Sequence, residues 1–167
     1  MKKTLALAMA LFMAAVIPAQ SMAQGTAVAF GSFNQDPSLP VEITADSLEV
    51  NQADGSAEFR GNVLIGQGEM RMSAALVRVE YASAGDATGQ ISRLIASGGV
   101  TLASGAEAAE AQRAVYSIAD ATIIMSGNVI LTQGRNALSA DRLIVDLKRG
   151  TGRLEGRVKT ILQTGGN

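Results

Sequence analysis

From Val41 onward the chain alternates apolar and polar positions with period two, the pattern of strands that bury one face. Val41 and Ile43 oppose Glu42 and Thr44, and Leu48 and Val50 oppose Ser47 and Glu49. Met70 and Met72 oppose Glu69, Arg71 and Ser73; Val77, Val79 and Tyr81 oppose Arg78 and Glu80; Leu143, Val145 and Leu147 oppose Arg142 and Asp146. Turn chemistry punctuates these runs at Asn51-Gln52-Ala53-Asp54-Gly55, Ala119-Asp120 and Lys148-Arg149-Gly150-Thr151-Gly152. Two stretches resist the pattern. In Ile91–Ala96, Arg93 has the parity of Ile91 and Ile95, which leaves the inward face undecided. Gly105–Ala114 is rich in Ala and Glu, good helix formers. Proline is absent after Pro40, so central strands can pair without interruption. The pattern predicts an all-β protein of many short strands joined by tight turns. Its apolar face must be covered by the sheet curling over or by a second sheet.

An internal repeat sharpens this. Gly61-Asn62-Val63-Leu64-Ile65-Gly66-Gln67-Gly68 returns in the second half as Gly127-Asn128-Val129-Ile130-Leu131-Thr132-Gln133-Gly134. Weaker copies begin at Gly98-Gly99-Val100-Thr101-Leu102 and Glu155-Gly156-Arg157-Val158. A second phrase alternates with the first: Ala45-Asp46, Ala74-Ala75, Ala111-Gln112 and Ala140-Asp141 each precede an apolar run. Nearly constant spacings recur between copies: Ala45 to Ala74 equals Ala111 to Ala140, and Gly99 to Gly127 almost equals Gly127 to Gly156. The second unit is longer, with its excess at Ala82–Gly89, a small-residue loop. About four units, each with two or more strands, indicate a stacked architecture. The repeat aligns Ala111–Tyr116 with strand phrases, so strand is expected there against local propensity. Asp46 and Asp141 are expected to cap turns rather than to catalyse.

The first residues read differently. Met1-Lys2-Lys3 is basic, Leu5–Ile17 is an unbroken apolar run, and Ser21-Met22-Ala23 has the small-x-small form of a processing site. Residues 1–23 are expected to be a secretory signal peptide, the run being shorter than the ~20 residues of a bilayer span. Residues 24–40, with Gly, Ser, Asn, Gln and two prolines and only Phe30 and Phe33 as large anchors, are expected to form a flexible arm. One domain follows at 41–163, with a tail at 164–167. Losing Lys2 and Lys3 lowers Lys+Arg from 14 to 12 against 15 acids, a net charge of −3. With no basic run, nucleic acid is excluded as a partner.

Composition narrows the chemistry further. There is no histidine, which removes catalytic triads and imidazole metal sites, and no cysteine, which removes thiolate ligands and disulfides. Carboxylates lie at outward parity or beside turns. No metal site, cofactor or catalytic residue is expected. What remains is an inner face of Val, Ile, Leu, Met and Ala, with Phe59, Tyr81 and Tyr116 the only aromatics after Pro40. Such a face suits flexible alkyl chains, and methionine adapts to variable shapes. Each buried methylene is worth ~0.8 kcal/mol.

The ordered set Val41-Glu42-Ile43-Thr44-Ala45-Asp46-Ser47-Leu48, Ala57-Glu58-Phe59-Arg60-Gly61-Asn62-Val63, Gln67-Gly68, Ala74-Ala75-Leu76-Val77, Ser126–Leu131 and Ala140-Asp141-Arg142-Leu143 resembles the OstA-like (LptA-like) family of periplasmic lipopolysaccharide transport proteins. The likeness runs from Val41 to about Leu162. It implies a twisted, semi-open antiparallel β jelly roll of about sixteen strands, built here from about four repeated units. It also implies a periplasmic, non-enzymatic bridge that shields the lipid A acyl chains of lipopolysaccharide. Implied partners are LptC at the inner membrane, the LptD periplasmic domain at the outer membrane, and further copies joined end to end by β-augmentation. Carried onto this sequence, the lipid-facing residues are expected to be Val41, Ile43, Leu48, Val50, Phe59, Val63, Ile65, Val100, Leu102, Val129 and Leu131. Rival readings are an LptC-like component with a retained membrane anchor, a β-solenoid enzyme acting on polysaccharide, and a structural β-module with a closed core.

Overall fold

The computed structural model describes residues 26–29, 31–34, 36–82 and 89–161; the expected signal peptide, most of the Ala82–Gly89 loop, Leu162 and the 164–167 tail lie outside them. Within the described residues, eleven strands form one antiparallel sheet. They are β1 (Thr26–Ala29), β2 (Glu42–Thr44), β3 (Ser47–Asn51), β4 (Ser56–Gln67), β5 (Met70–Tyr81), β6 (Ile91–Ser104), β7 (Glu107–Ser117), β8 (Thr122–Gln133), β9 (Asn136–Asp146), β10 (Thr151–Glu155) and β11 (Lys159–Ile161). The order is β1-β10-β9-β8-β7-β6-β5-β4-β2, with β3 also on β4 and β11 also on β9. From β3 to β10 each strand therefore pairs with the next in sequence. The Ala- and Glu-rich stretch is strand β7: cross-strand pairing on both sides overrides helix propensity.

Six strands, β4 to β9, run 11 to 14 residues, longer than the short strands expected. The reason is a crease. Register shifts fall between Arg60 and Val63, Ser73 and Leu76, Ser97 and Val100, Glu110 and Arg113, and Ser126 and Val129, so the bends line up across the sheet. Each long strand is thus two short segments that meet at the crease, with the extra residues of the bulges on β4, β6 and β8. At the crease the two repeated phrases meet. Gly61, Gly98, Gly127 and Gly156 have φ of 75°, 83°, 86° and 74°, and the residue after each is also left-handed. Each glycine leaves no room for a Cβ, because Asp46, Ala75, Gln112 and Asp141 respectively occupy that space. The offset between partners is constant in three units (Asp46 to Gly61, Gln112 to Gly127, Asp141 to Gly156). It is longer in the second, Ala75 to Gly98, where the Ala82–Gly89 insertion intervenes. Asp46 and Asp141 therefore seat the bulges: their amides donate to the Gly61 and Gly156 carbonyls at 2.9 and 3.1 Å. Asn62 donates to the Asp46 carboxylate, and Arg157 to that of Asp141.

The crease divides the sheet into two leaves. The upper leaf contains β2, β11 and the strand segments that meet at turns 68–69, 105–106 and 134–135. The lower leaf contains β3, β10, β1 and the segments that meet at turns 52–55, 118–121 and 147–150. Inward side chains of both leaves belong to a single hydrophobic core, so the leaves face each other. This is the twisted, semi-open jelly roll. Among the described residues its free edges are β2 and β3 on one side and β1 and β11 on the other.

Candidate functional site

The interior is built from rows of side chains that cross the strands. In the upper leaf Ile43, Ile65, Met72, Leu102, Ala109, Leu131 and Leu138 are successive register partners, an unbroken apolar line from β2 to β9. Nearer the crease come Val63 beside Ala74, Val100 beside Ala111, and Val129 beside Ala140. In the lower leaf one row runs Leu48, Phe59, Val77, Ala96, Ala114, Met125, Leu143, Leu154. A parallel row runs Val50, Ala57, Val79, Leu94, Tyr116, Ile123, Val145. Parity settles the undecided stretch: Leu94 and Ala96 point inward, and Arg93 points out.

Of the residues singled out from sequence, Val63, Ile65, Val100, Leu102, Val129 and Leu131 are interior and at most 2% exposed. Val41, Ile43 and Phe59 are partly buried against the same core. Leu48 and Val50 share the inward face with Phe59 and Ala57, as parity predicts, but are 54% and 62% exposed. The reason is position. β3 is an edge strand, and its inner side projects beyond the cover of the upper leaf. Beyond Leu48, Val50 and Phe59 the two lower-leaf rows were not singled out, although Val77, Val79, Leu143 and Val145 carry the same period-two signal. Met70, Met72 and Met125, all fully buried, give the interior adaptable, polarisable packing. Among the described residues the space between the leaves is filled by their own side chains together with Phe33, so a guest would have to displace some of them.

A polar contact crosses the interior. The Tyr116 hydroxyl donates to the Gln67 side-chain oxygen at 2.7 Å, joining lower leaf to upper. Burial pushes the Tyr116 hydroxyl above the usual tyrosine range, and its bond to Gln67 pulls weakly the other way. The Gln67 amide nitrogen donates in turn to the carbonyls of Pro37 and Leu39 at 3.2 and 2.9 Å.

Those carbonyls belong to the 24–40 segment, which over its described residues is docked rather than a flexible arm. β1 pairs with β10. Ala29 accepts from Gln133, and Ser32 donates its amide to Glu107 and accepts from the Ser104 hydroxyl. A 3₁₀ turn, Gly31–Phe33, drives Phe33 into the core, where it is fully buried. Sequence hinted at this only through the two phenylalanines among polar neighbours.

Elsewhere carboxylates hold turns. Asp36 accepts from Ser38, Asp54 from Ser56 and Arg78, Asp120 from Ser117, and Asp146 from Arg149. Among the described residues no cluster of three His, Cys, Asp or Glu is placed to hold a metal ion.

Comparison with known proteins agrees with this geometry. Residues 42–151 match the family model described as LptA/(LptD N-terminal domain) LPS transport protein. An uncharacterised protein of Rhizobium meliloti (strain 1021) is 30% identical over 124 residues, covering 72% of this chain and 67% of its own. Among solved structures, the crystal structure of LptH, the LptA-homologous periplasmic component of the lipopolysaccharide transport device of Pseudomonas aeruginosa, has a TM-score of 0.67. It is 16% identical, and the alignment covers 77% of this chain and 99% of that one, a likeness of fold. The chain belongs to the LptA/LptD N-terminal domain family of lipopolysaccharide transport proteins.

Proposed function

We propose that the chain is a periplasmic, non-catalytic bridge that takes the acyl chains of lipopolysaccharide between its two leaves and passes the lipid from the inner to the outer membrane. The unbroken apolar row from Ile43 to Leu138 carries this reading, since it crosses the full width of the upper leaf from one free edge towards the other. An acyl chain laid along such a row exchanges water for methyl and thioether groups, at ~0.8 kcal/mol per methylene. Parting the leaves along the crease line costs the contacts between them, and the lipid replaces these. The free edges suit strand addition, by further copies end to end, by LptC on the inner-membrane side and by the LptD periplasmic domain on the outer.

Photocrosslinking tests this. A photoreactive residue replaces Ile43 or Val129, with Asp54 at an exposed turn as control, and lipopolysaccharide is supplied with the transport partners. Adducts at the two inner positions and not at Asp54 are expected. Their absence at both in folded protein would reduce the interior to a closed core, as its full packing permits, and would favour a purely structural module.

A further inference from the structure

We infer that residues 26–29, 31–34 and 36–40 form a displaceable clasp, and that the seat of Phe33 is the first acyl-chain site of the interior. The inference rests on the lipid-carrying reading above and adds where the interior opens. β1 lies at one end of the strand order and β2 at the other, so the segment between them must travel the full width of the molecule. It does so along the rim of the upper leaf. Its contacts fall in turn on Gln133 at the end of β8, on Ser104 and Glu107 around the β6–β7 turn, and on Gln67 at the end of β4. It also starts on the lower leaf, through β10, and finishes on the upper, through β2. A segment tied to both leaves across their open rim holds them shut.

Phe33 is the stopper. Among the described buried apolar side chains, it is the one contributed by a segment outside the run of hairpins. Every other one belongs to the sheet or its turns and leaves only if the sheet itself unfolds. The clasp, in contrast, is tied on by one short edge pairing of β1 with β10, by the Ser32 amide donating to Glu107 and by side chains donating to its backbone carbonyls, and three of the four residues of β1 are exposed. Lifting it exposes an apolar, phenyl-sized seat at the rim without breaking a hairpin, and an acyl chain has the right chemistry to fill it. Gln67 couples the events: the side chain that holds Pro37 and Leu39 also receives the Tyr116 hydroxyl from the opposite leaf.

The chain has no cysteine and no tryptophan, which makes two clean tests available. In the first, Ser32→Cys with Ser104→Cys pins the clasp by a disulfide, and a photoreactive residue at Val129 reports on lipid A with six acyl chains. The expected result is at least a tenfold loss of adduct in the oxidised form, restored by dithiothreitol. Equal adduct in both forms would overturn the clasp and leave the lipid-carrying reading intact. No adduct even when reduced would withdraw both. If the pair does not oxidise, Phe33→Trp gives a single fluorophore in a chain otherwise unchanged. Acrylamide quenching of Trp emission should rise at least threefold on adding lipid A, in parallel with the Val129 adduct. Unchanged quenching while the adduct forms would overturn the inference. If Phe33→Trp does not fold, hydrogen exchange at residues 26–40 of the unaltered chain decides: protection should fall with lipid A, and undiminished protection would overturn it.

Discussion

Tyr116 and Gln67 lie on opposite leaves and far apart in sequence, yet the hydroxyl of one donates to the side-chain oxygen of the other at 2.7 Å inside the core. Tyr116→Phe removes the donor and leaves the Gln67 oxygen buried and unpaired, which costs about 1–3 kcal/mol. Urea unfolding at pH 7 should read this as a lower midpoint with an unchanged slope. The same pair sets an alkaline limit. Burial raises the Tyr116 pKa above its ordinary value, so the unfolded chain releases this proton first. Its contribution is therefore fully present below about pH 10 and is lost as pH rises through the folded value. Between about pH 9 and 11 the unaltered chain should lose stability more steeply than Tyr116→Phe; parallel curves would contradict the assignment.

The crease glycines should be far less replaceable than the turn glycines. A Cβ on Gly61 or Gly156 meets the carboxylate of Asp46 or Asp141 and must also hold a positive φ. Gly134 has φ of 57° but open space around it. Gly134→Ala should cost about 1 kcal/mol, the strain alone, whereas Gly61→Ala should cost about 2–4 kcal/mol. Adding Asp46→Ala to Gly61→Ala should recover part of that loss, because the two side chains compete for one space. A double-mutant cycle by denaturant unfolding that gives simple additivity would refute the seating relationship.

Interior and edge positions should separate cleanly. Ile65→Ala and Leu131→Ala each empty a fully buried site and should cost about 2–5 kcal/mol. Leu48→Ser and Val50→Thr, on the exposed inner side of β3, should change stability by under about 0.5 kcal/mol. Under the proposed function, these same two substitutions should weaken lipopolysaccharide or partner binding, which pull-down from the assembled system would measure. Edge changes that unfold the chain would contradict the placement of β3.

The Asp141–Arg157 pair predicts an acid effect. Hydrogen bonds from the Arg157 guanidinium, with its charge, hold the Asp141 carboxyl below the usual carboxylate range. Its contribution is present above about pH 4 and lost as pH falls through the folded value. The group is exposed, so the effect is small and weakens with salt. Asp141→Asn should flatten the pH dependence of the unfolding midpoint between about pH 2 and 5 at low salt, and an unaltered slope would remove Asp141 from the account.

Much of this architecture is legible in the residues. Alternation names the inward face of nearly every strand, and the two repeated phrases mark the four bulges. That the phrases touch each other is not legible, because the contact between each crease glycine and a side chain of the preceding phrase depends on hairpin register. Leu48 and Val50 show a second limit. Parity assigns a face, whereas exposure depends on whether another leaf lies above it. Phe33 shows a third: its burial arises from a topology that places β1 and β2 at opposite ends of the strand order, and no local periodicity encodes a long-range crossing.

The pairing of β1 with β10 also dictates an order of assembly. Each hairpin from β3 to β10 closes between residues near in sequence, over small loops whose entropy cost is low. Thr26 meets Leu154 across nearly the whole length of the described chain, and has nothing to pair with until the last hairpin exists. β1, the first described strand, is then the last to find its place. The trough between the leaves is therefore complete, and still uncovered, for a kinetic interval before β1 docks.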